Sequence, residues 1–302
     1  MADKVLASVL IEPKTFELRE FDMPEIGPDE GILRVERCGV CGADVHGREN
    51  MGEGQRILGH ENLGFIAKIG AEASKRWGVK EGDRVALEEY VPCGSCELCR
   101  SGNYRFCPQT SSFGHDPSSP RLWYGSTPVT VEPALWGGYS QYMYMHPGAV
   151  VHKVPNHVDP SEAAFFLPFG NGYEWAVEYG GATLGSTVVV QGPGQQGLAA
   201  VIAAREAGAA CIIVSGLGHD EHRLEVARRL GADYTVDVSS EDLVERVMEY
   251  TRGHGADVVV NVTGGGKTTV REGIDMAAFN GIVALPAAGN ETISVGGTGR
   301  KN

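Results

Sequence analysis

Two patterns of hydrophobic and polar positions divide this chain. Before about residue 155, apolar and polar residues alternate over short stretches, with turn residues such as Glu12-Pro13-Lys14 between them. Alternation of this kind is typical of strands with one buried face. Strands are predicted at 5–10, 15–18, 32–35, 63–70 and 139–145, and residues 79–87 are predicted to form a turn that leads into a further strand. Together they predict a small β-barrel domain over residues 1–155, wrapped around a loop at 38–61.

From residue 187 onward, continuous apolar strands alternate with amphipathic helices. The predicted strands are 188–191, 211–215, 234–236, 257–262 and 281–285, and the predicted helices between and after them are 198–207, 220–230, 241–250 and 267–279. A further helix is predicted before them, at 160–178. Strands that are apolar throughout are buried on both faces, and a helix after each strand is typical of a parallel sheet covered on both sides. We therefore predict an α/β chain whose second domain, at 156–290, is a doubly wound parallel sheet.

Length and charge narrow the possible partners. A chain of 302 residues can form two domains with separate cores. Its net charge of -13 argues against nucleic acid or an anionic membrane as a partner, because both would repel it. The chain has neither an apolar run of about 18 residues nor the apolar segment of a signal peptide at its start. A cytoplasmic location is therefore expected.

Six of the seven cysteines fall in two tight clusters, at 38–41 and 93–107. In a reducing compartment such clusters indicate metal binding rather than disulfides. The second cluster has the spacing Cys-x2-Cys-x2-Cys-x7-Cys, formed by Cys93, Cys96, Cys99 and Cys107. Four thiolates leave no open position, so they predict a closed structural zinc site. An iron–sulfur cluster is the alternative, because it also accepts four cysteines.

The stretch from Cys38 to Glu61 carries a second candidate metal site. Cys41, His60 and Glu61 offer a thiolate, an imidazole and a carboxylate. Zinc accepts all three ligand types, and a catalytic zinc keeps a fourth position for water or substrate. Taken alone the stretch is only suggestive, because a cysteine in an apolar loop is most often a small buried hydrophobe.

A glycine-rich turn follows the first buried strand of the second domain. Gly192, Gly194 and Gly197 form Gly-x-Gly-x-x-Gly and lead directly into a helix. In this context the motif indicates a dinucleotide site, because the first glycine permits the turn, the second lets the backbone approach a pyrophosphate and the third lets the helix lie close to the sheet. The free amides at the helix N-terminus then face the phosphates.

The end of the next strand leaves the choice between NAD and NADP open. A carboxylate there normally holds the ribose hydroxyls of NAD, but this strand ends in Ser215 and Gly216. A 2′-phosphate is therefore not excluded, and His219, His222 or Arg223 could neutralise it. Ser215, Gly216 and Arg223 are accordingly candidate cofactor-binding residues.

Taken together, these motifs resemble the zinc-dependent medium-chain dehydrogenases, the superfamily of alcohol, polyol and threonine dehydrogenases. The resemblance covers residues 1 to about 290. It implies a GroES-like β-barrel catalytic domain followed by a Rossmann domain. It also implies that Cys41 and His60 bind a catalytic zinc, with Glu61 as a ligand or close neighbour. The four-cysteine cluster would then bind a structural zinc, and Asn171 would lie near the nicotinamide.

The same resemblance implies an oxidoreductase that transfers a hydride between a secondary alcohol, polyol or amino alcohol and NAD or NADP. A Lewis-acidic zinc lowers the pKa of an alcohol, and the oxidised nicotinamide accepts its hydride. His46 and Asp44, just past Cys41, are candidates to pass the released proton to water. Relatives in this superfamily form dimers and tetramers, so a homo-oligomer is expected.

Three departures from the family pattern are visible. Ala43 replaces the serine or threonine of the usual proton relay, and Leu167, before Pro168, cannot ligate a metal. We therefore predict a zinc held by Cys41, His60 and Glu61. The chain also stops at Lys301-Asn302, so residues 291–302 are expected to begin an incomplete C-terminal segment. These departures leave a second hypothesis open, a homologue that binds nucleotide and zinc without turnover.

Overall fold

The computed structural model describes residues 4–51, 54–111, 114–264 and 266–286. Its strands are β1 (Lys4–Glu12), β2 (Thr15–Asp22), β3 (Gly31–Gly39), β4 (Arg56–Ile57), β5 (Glu61–Ile69), β6 (Arg84–Leu87), β7 (Tyr142–Met145), β8 (Val151–Lys153), β9 (Thr187–Gln191), β10 (Cys211–Gly216), β11 (Tyr234–Asp237), β12 (Ala256–Asn261) and β13 (Ala277–Ala284). Its α-helices are α1 (Gly42–Glu49), α2 (Ala71–Trp77), α3 (Glu97–Arg100), α4 (Pro160–Ala163), α5 (Phe166–Tyr173), α6 (Gln195–Glu206), α7 (Glu221–Leu230), α8 (Leu243–Tyr250) and α9 (Gly266–Met276). The expected C-terminal segment at 291–302 lies outside the described residues.

Two antiparallel sheets form the first part of the chain, with strand orders β2-β1-β4 and β7-β3-β5-β6-β8. Backbone hydrogen bonds join β1 to the segment that leads into β7, since Ser8 N donates to Tyr139 O at 2.8 Å and Gln141 N donates to Leu6 O at 3.0 Å. Both sheets contribute to one core, which includes Val5, Val9, Leu33, Val85, Leu87, Trp136 and Met143. The predicted antiparallel β domain is therefore confirmed, and its strands start within a few residues of the predicted positions.

The second part contains a parallel sheet of order β11-β10-β9-β12-β13. Alternate residues of each strand point to opposite faces. Val188 and Val190 of β9 pack in a cluster with α6 and α7, whereas Val189 packs in a cluster with α8 and with Met276 of α9. Helices therefore cover both faces, and the predicted doubly wound sheet is confirmed. The strand order reverses between β9 and β12, which is where such sheets bind ligands at their carboxyl ends.

Two predicted helices are shorter than expected. The segment predicted at 160–178 is divided into α4, α5 and a π-helical turn at Glu174–Glu178. Pro168 explains the break, because proline lacks an N–H group and is tolerated only in the first turn of a helix. The helix predicted at 267–279 ends at Met276, because Ala277 already pairs with Ala256 in the sheet.

Two compact units divide the chain, Met1–Leu167 and Pro168–Asn302. The predicted domain boundaries at 155 and 290 stay predictions. Within the described ranges, no helix is both long enough and apolar enough to span a membrane.

Candidate metal centres and nucleotide turn

Strand pairing brings the three residues of the first candidate centre together. Cys41 precedes α1, Glu61 begins β5, and β3 pairs with β5 so that Gly39 lies opposite Glu61. A Cβ at Gly39 would lie 1.9 Å from Glu61 Oε2, so the glycine leaves room for the carboxylate. One potential ligand atom each from Cys41, His60 and Glu61 lies within 4.8 Å of the other two. These three residues are called the Cys41 centre below.

Buried carboxylates surround the imidazole of the Cys41 centre. His60 Nδ1 lies 3.4 Å from Asp44 Oδ1, and His60 Nε2 lies 3.9 Å from Glu89 Oε2. Asp44 also accepts hydrogen bonds from Cys41 N at 2.9 Å and from Gly59 N at 3.0 Å. A carboxylate on one ring nitrogen fixes the orientation of a metal-binding histidine. Asp44 therefore holds His60 and the backbone of Cys41 in one arrangement, with Nε2 directed away from it.

The charge of the site favours a cation. Burial lowers the pKa of His60, but hydrogen bonds with Asp44 and Cys41 and the charge of Glu89 raise it, and the resulting pKa is about 11. Burial raises the pKa of Asp44, whereas the hydrogen bond and charge of His60 outweigh it and hold the pKa below its ordinary value. A thiolate, an imidazole and a carboxylate at this spacing fit a divalent ion such as zinc.

The two candidate proton carriers lie in different surroundings. His46 is exposed on α1, whereas Asp44 is 5% exposed. The contacts of Asp44 go to the imidazole of His60 and to backbone amides. They give it a positioning function that the sequence analysis missed. Proton transfer by His46 or Asp44 stays a prediction.

The four-cysteine centre, formed by Cys93, Cys96, Cys99 and Cys107, also gathers its donor atoms within 4.8 Å of one another. The Sγ atoms of Cys93 and Cys99 are 3.9 Å apart, and those of Cys96 and Cys99 are 3.5 Å apart. Tetrahedral zinc with Zn–S bonds of about 2.3 Å places its sulfurs about 3.8 Å apart. Hydrogen bonds from Ser95 and from Cys96 N lower the pKa of Cys93 to about 6, which favours its thiolate, whereas burial raises the pKa of Cys99 and of Cys107.

The glycine turn has the geometry that its sequence predicts. Gly192 has a φ of 104°, in the region that glycine adopts without strain. A Cβ at Gly197 would lie 1.9 Å from Gly192 O, so α6 can approach the turn this closely only with glycine there. A Cβ at Gly194 would have no atom within 4 Å. The space above Gly194 is therefore open, as a site for an approaching pyrophosphate requires.

These two glycines give a matched test. We expect Gly197→Ala to destabilise the protein by about 1–3 kcal/mol, because its Cβ collides with a backbone oxygen. Gly194→Ala should leave the thermal unfolding midpoint nearly unchanged but weaken cofactor binding about tenfold or more, because its methyl group occupies the open space. Thermal unfolding and fluorescence titration with NADH and NADPH measure the two effects. If Gly194→Ala bound the cofactor as tightly as the parent, the glycine turn would not be the pyrophosphate site.

The predicted adenosine-side residues lie at the end of β10. Ser215 is buried, its carbonyl accepts a hydrogen bond from Gly192 N at 3.0 Å, and Gly216 ends the strand. Arg223 pairs with Asp220, with Nη1 and Oδ1 at 3.0 Å. Asp220 is buried and also accepts from Leu217 N at 3.2 Å. The sequence analysis missed this carboxylate, although its spacing of three residues from Arg223 on a predicted helix was a signal for the pair.

Asn171 lies half-buried on α5 in the second unit. The following residue, Gly172, packs closely on α6, since a Cβ there would lie 2.5 Å from Ala200 N. This close approach holds α5 against the helix that the glycine turn begins. The role of Asn171 near a nicotinamide stays a prediction.

Known proteins share both halves of this arrangement. Residues 27–156 match the family model of the alcohol dehydrogenase GroES-like domain, and residues 197–298 match that of the zinc-binding dehydrogenases. The chain is 40% identical over 298 residues to a protein of Mycobacterium tuberculosis described as a probable alcohol dehydrogenase, covering 98% of this chain and 78% of that protein. It is 30% identical over 292 residues to L-threonine 3-dehydrogenase of Pyrococcus abyssi, covering 94% and 76%.

A solved structure agrees with these relatives. The crystal structure of a zinc-binding dehydrogenase from Sinorhizobium meliloti 1021, bound to NADP, has a TM-score of 0.80 and 27% sequence identity, and the match covers 98% of this chain and 80% of that one. The two-sheet β domain is thus a GroES-like domain, and the doubly wound sheet is of the Rossmann type. The chain belongs to the zinc-dependent medium-chain dehydrogenase superfamily, whose members are alcohol dehydrogenase-type oxidoreductases.

Proposed function

We propose that this protein is a zinc-dependent dehydrogenase that oxidises a secondary alcohol, polyol or amino alcohol with NAD or NADP. The observation that carries the proposal is the convergence of Cys41, His60 and Glu61, whose donor atoms lie within 4.8 Å of one another. The reaction balances as alcohol plus oxidised nicotinamide giving carbonyl compound, reduced nicotinamide and one proton. A cytoplasmic location and a homo-oligomer remain predictions from the sequence.

Each part of the site has a defined task in this proposal. Cys41, His60 and Glu61 would hold a catalytic zinc, which when bound supplies Lewis-acid activation of the alcohol hydroxyl. Asp44 keeps the imidazole of His60 oriented through its contact with Nδ1. Glu61 is buried and Cys41 is half-buried, so water would screen their attraction for the ion less than it does in bulk solution.

The nucleotide and structural sites complete the proposal. Gly192, Gly194 and Gly197 shape the turn at which the pyrophosphate would meet the N-terminus of α6. The S. meliloti structure with NADP supports a nicotinamide dinucleotide as the ligand. The four-cysteine centre would hold a second zinc with no open position, and this zinc would stabilise the loop around α3.

A substrate screen tests the proposal. Zinc-loaded protein is mixed with secondary alcohols, polyols or amino alcohols and with NAD+ or NADP+, and the absorbance of the reduced nicotinamide is followed. We expect reduction with at least one substrate class, at rates that rise with alcohol concentration and saturate. Cofactor binding without reduction by any class, in protein with both zinc sites filled, would instead favour a homologue without turnover.

A further inference from the structure

Glu89 is a buried carboxylate that faces His60 of the Cys41 centre. It lies just past β6 and is 8% exposed. Its Oε2 accepts a hydrogen bond from Trp123 Nε1 at 2.9 Å, and its backbone oxygen accepts one from Tyr124 N at 2.9 Å. The ring of Trp123 in turn stacks on Tyr90, with centroids 5.8 Å apart. The carboxylate is therefore held in place by its neighbours.

Sheet register explains why Glu89 meets His60. β5 and β6 are antiparallel, with Asn62 paired to Leu87 and Leu63 to Ala86. Continuing this register by two residues places His60 opposite Glu89. The oxygen that Trp123 holds, Oε2, lies 3.9 Å from His60 Nε2. The contact is thus built into the pairing of two core strands.

The nitrogen that Glu89 faces is the one available to an ion. His60 Nδ1 is directed at Asp44, so Nε2 is the ring atom that points toward a metal. A nitrogen and an oxygen that share a tetrahedral zinc are separated by about 3.4 Å, given bond lengths of about 2.0–2.2 Å. The observed 3.9 Å lies within a small side-chain rotation of that value. Besides the hydrogen bond from Trp123, a cation beside this buried carboxylate would offset the cost of its desolvation.

We propose that Glu89 supplies a further carboxylate to the Cys41 centre and increases its affinity for a divalent ion. This inference rests on the proposed function, because it needs a metal between Cys41, His60 and Glu61. Glu89 is not one of these three residues, and its carboxylate lies on the side of the centre where His60 Nε2 is found. It thereby adds a negative charge beside this face of the centre.

The test is Glu89→Gln, which keeps the size of the side chain and an oxygen to accept from Trp123 but removes the charge. Zinc affinity is measured by competition with a chelator, and the centre is also loaded with Co2+ to record its visible spectrum. We expect the affinity of the Cys41 centre to fall about 10–100-fold and the Co2+ bands to shift. The four-cysteine centre should keep its zinc, and the metal-free protein should unfold at the parental temperature.

Glu88→Gln is the matched control. Glu88 is the neighbouring carboxylate, but it accepts from Tyr104 Oη at 2.8 Å and lies 2.5 Å from His152 Nε2. Its replacement should leave zinc affinity and the Co2+ spectrum unchanged. Parental affinity and spectrum in Glu89→Gln would overturn the inference. Should that variant not fold, Glu89→Asp keeps the charge but withdraws the carboxylate, and unchanged affinity there would overturn it equally.

Zinc content of Cys41→Ser separates this inference from the proposed function. If Cys41→Ser keeps as much zinc as the parent, the Cys41 centre is not a metal site and both ideas fail. If Cys41→Ser loses one zinc while Glu89→Gln behaves as the parent, only the assignment of Glu89 fails.

Discussion

Cys41→Ser is expected to lose one bound zinc and to reduce alcohol-dependent turnover by about 10³-fold or more, because metal activation contributes several kcal/mol to such a reaction. A serine hydroxyl at this position is a far weaker zinc ligand than a thiolate. The local backbone should persist, since Cys41 N donates to Asp44 Oδ2 and Cys41 O accepts from Asp44 N, and neither bond involves the sulfur. Elemental analysis and steady-state kinetics measure the two effects.

Cys38→Ser is the matched control for this prediction. Cys38 lies three residues upstream and belongs to neither group of potential metal ligands. Burial and the charge of Asp44 raise the pKa of its thiol, so it stays neutral and its Sγ contacts Gly39 O at 3.4 Å. We expect this variant to keep both zinc ions and turnover within a few fold of the parent. A Cys41→Ser protein that retains both zinc ions would remove the basis of the proposed function.

Most of the fold followed from the spacing of apolar residues. Val188, Val189 and Val190 are all fully buried, as a strand covered on both faces requires, and the sequence shows this as an unbroken apolar run. Helix ends were less predictable. The break at Pro168 was open to prediction from the chemistry of proline, whereas the end of α9 depends on the pairing of Ala277 with Ala256, which is a tertiary contact.

The candidate metal site likewise combines residues that the sequence identified with contacts that it did not. Cys41, His60 and Glu61 were identified from ligand types in a short stretch, because metal chemistry limits which residues can serve. The contacts of Asp44 and Glu89 with His60 were not identified. Glu89 reaches the centre through the register of β5 and β6, and a one-residue shift in that register would turn its side chain to the other face. Apolar alternation predicts that strands exist but does not specify which residues lie opposite each other.

Removal of the metal from the four-cysteine centre is expected to lower the thermal unfolding midpoint by roughly 10 °C. A metal present at about 100–1,000 times its Kd stabilises the folded state by about 3–4 kcal/mol, and each kcal/mol shifts a domain of this size by about 2–4 °C. Apart from the metal, the loop at 93–107 is held by polar contacts such as that of Tyr104 with Glu88, and few of its side chains are buried. Of its residues, Cys107 is buried, whereas Leu98 and Phe106 are 36% and 39% exposed. Cys96→Ser should therefore bind one zinc fewer, unfold earlier and be cleaved by proteases within this loop.

Ser101→Ala is the control in the same loop. Its hydroxyl donates to Leu98 O at 3.2 Å on the exposed surface, so its loss should change neither metal content nor the unfolding midpoint measurably.

Metal analysis of the parent also decides between zinc and the iron–sulfur alternative, because a cluster would bring iron, sulfide and visible absorption. Unchanged stability and protease resistance in Cys96→Ser would mean that the loop is held without the metal, by contacts such as the hydrogen bond from Tyr104 Oη to Glu88 Oε2. A lower midpoint together with rapid cleavage would show that the metal replaces the hydrophobic core that this loop lacks.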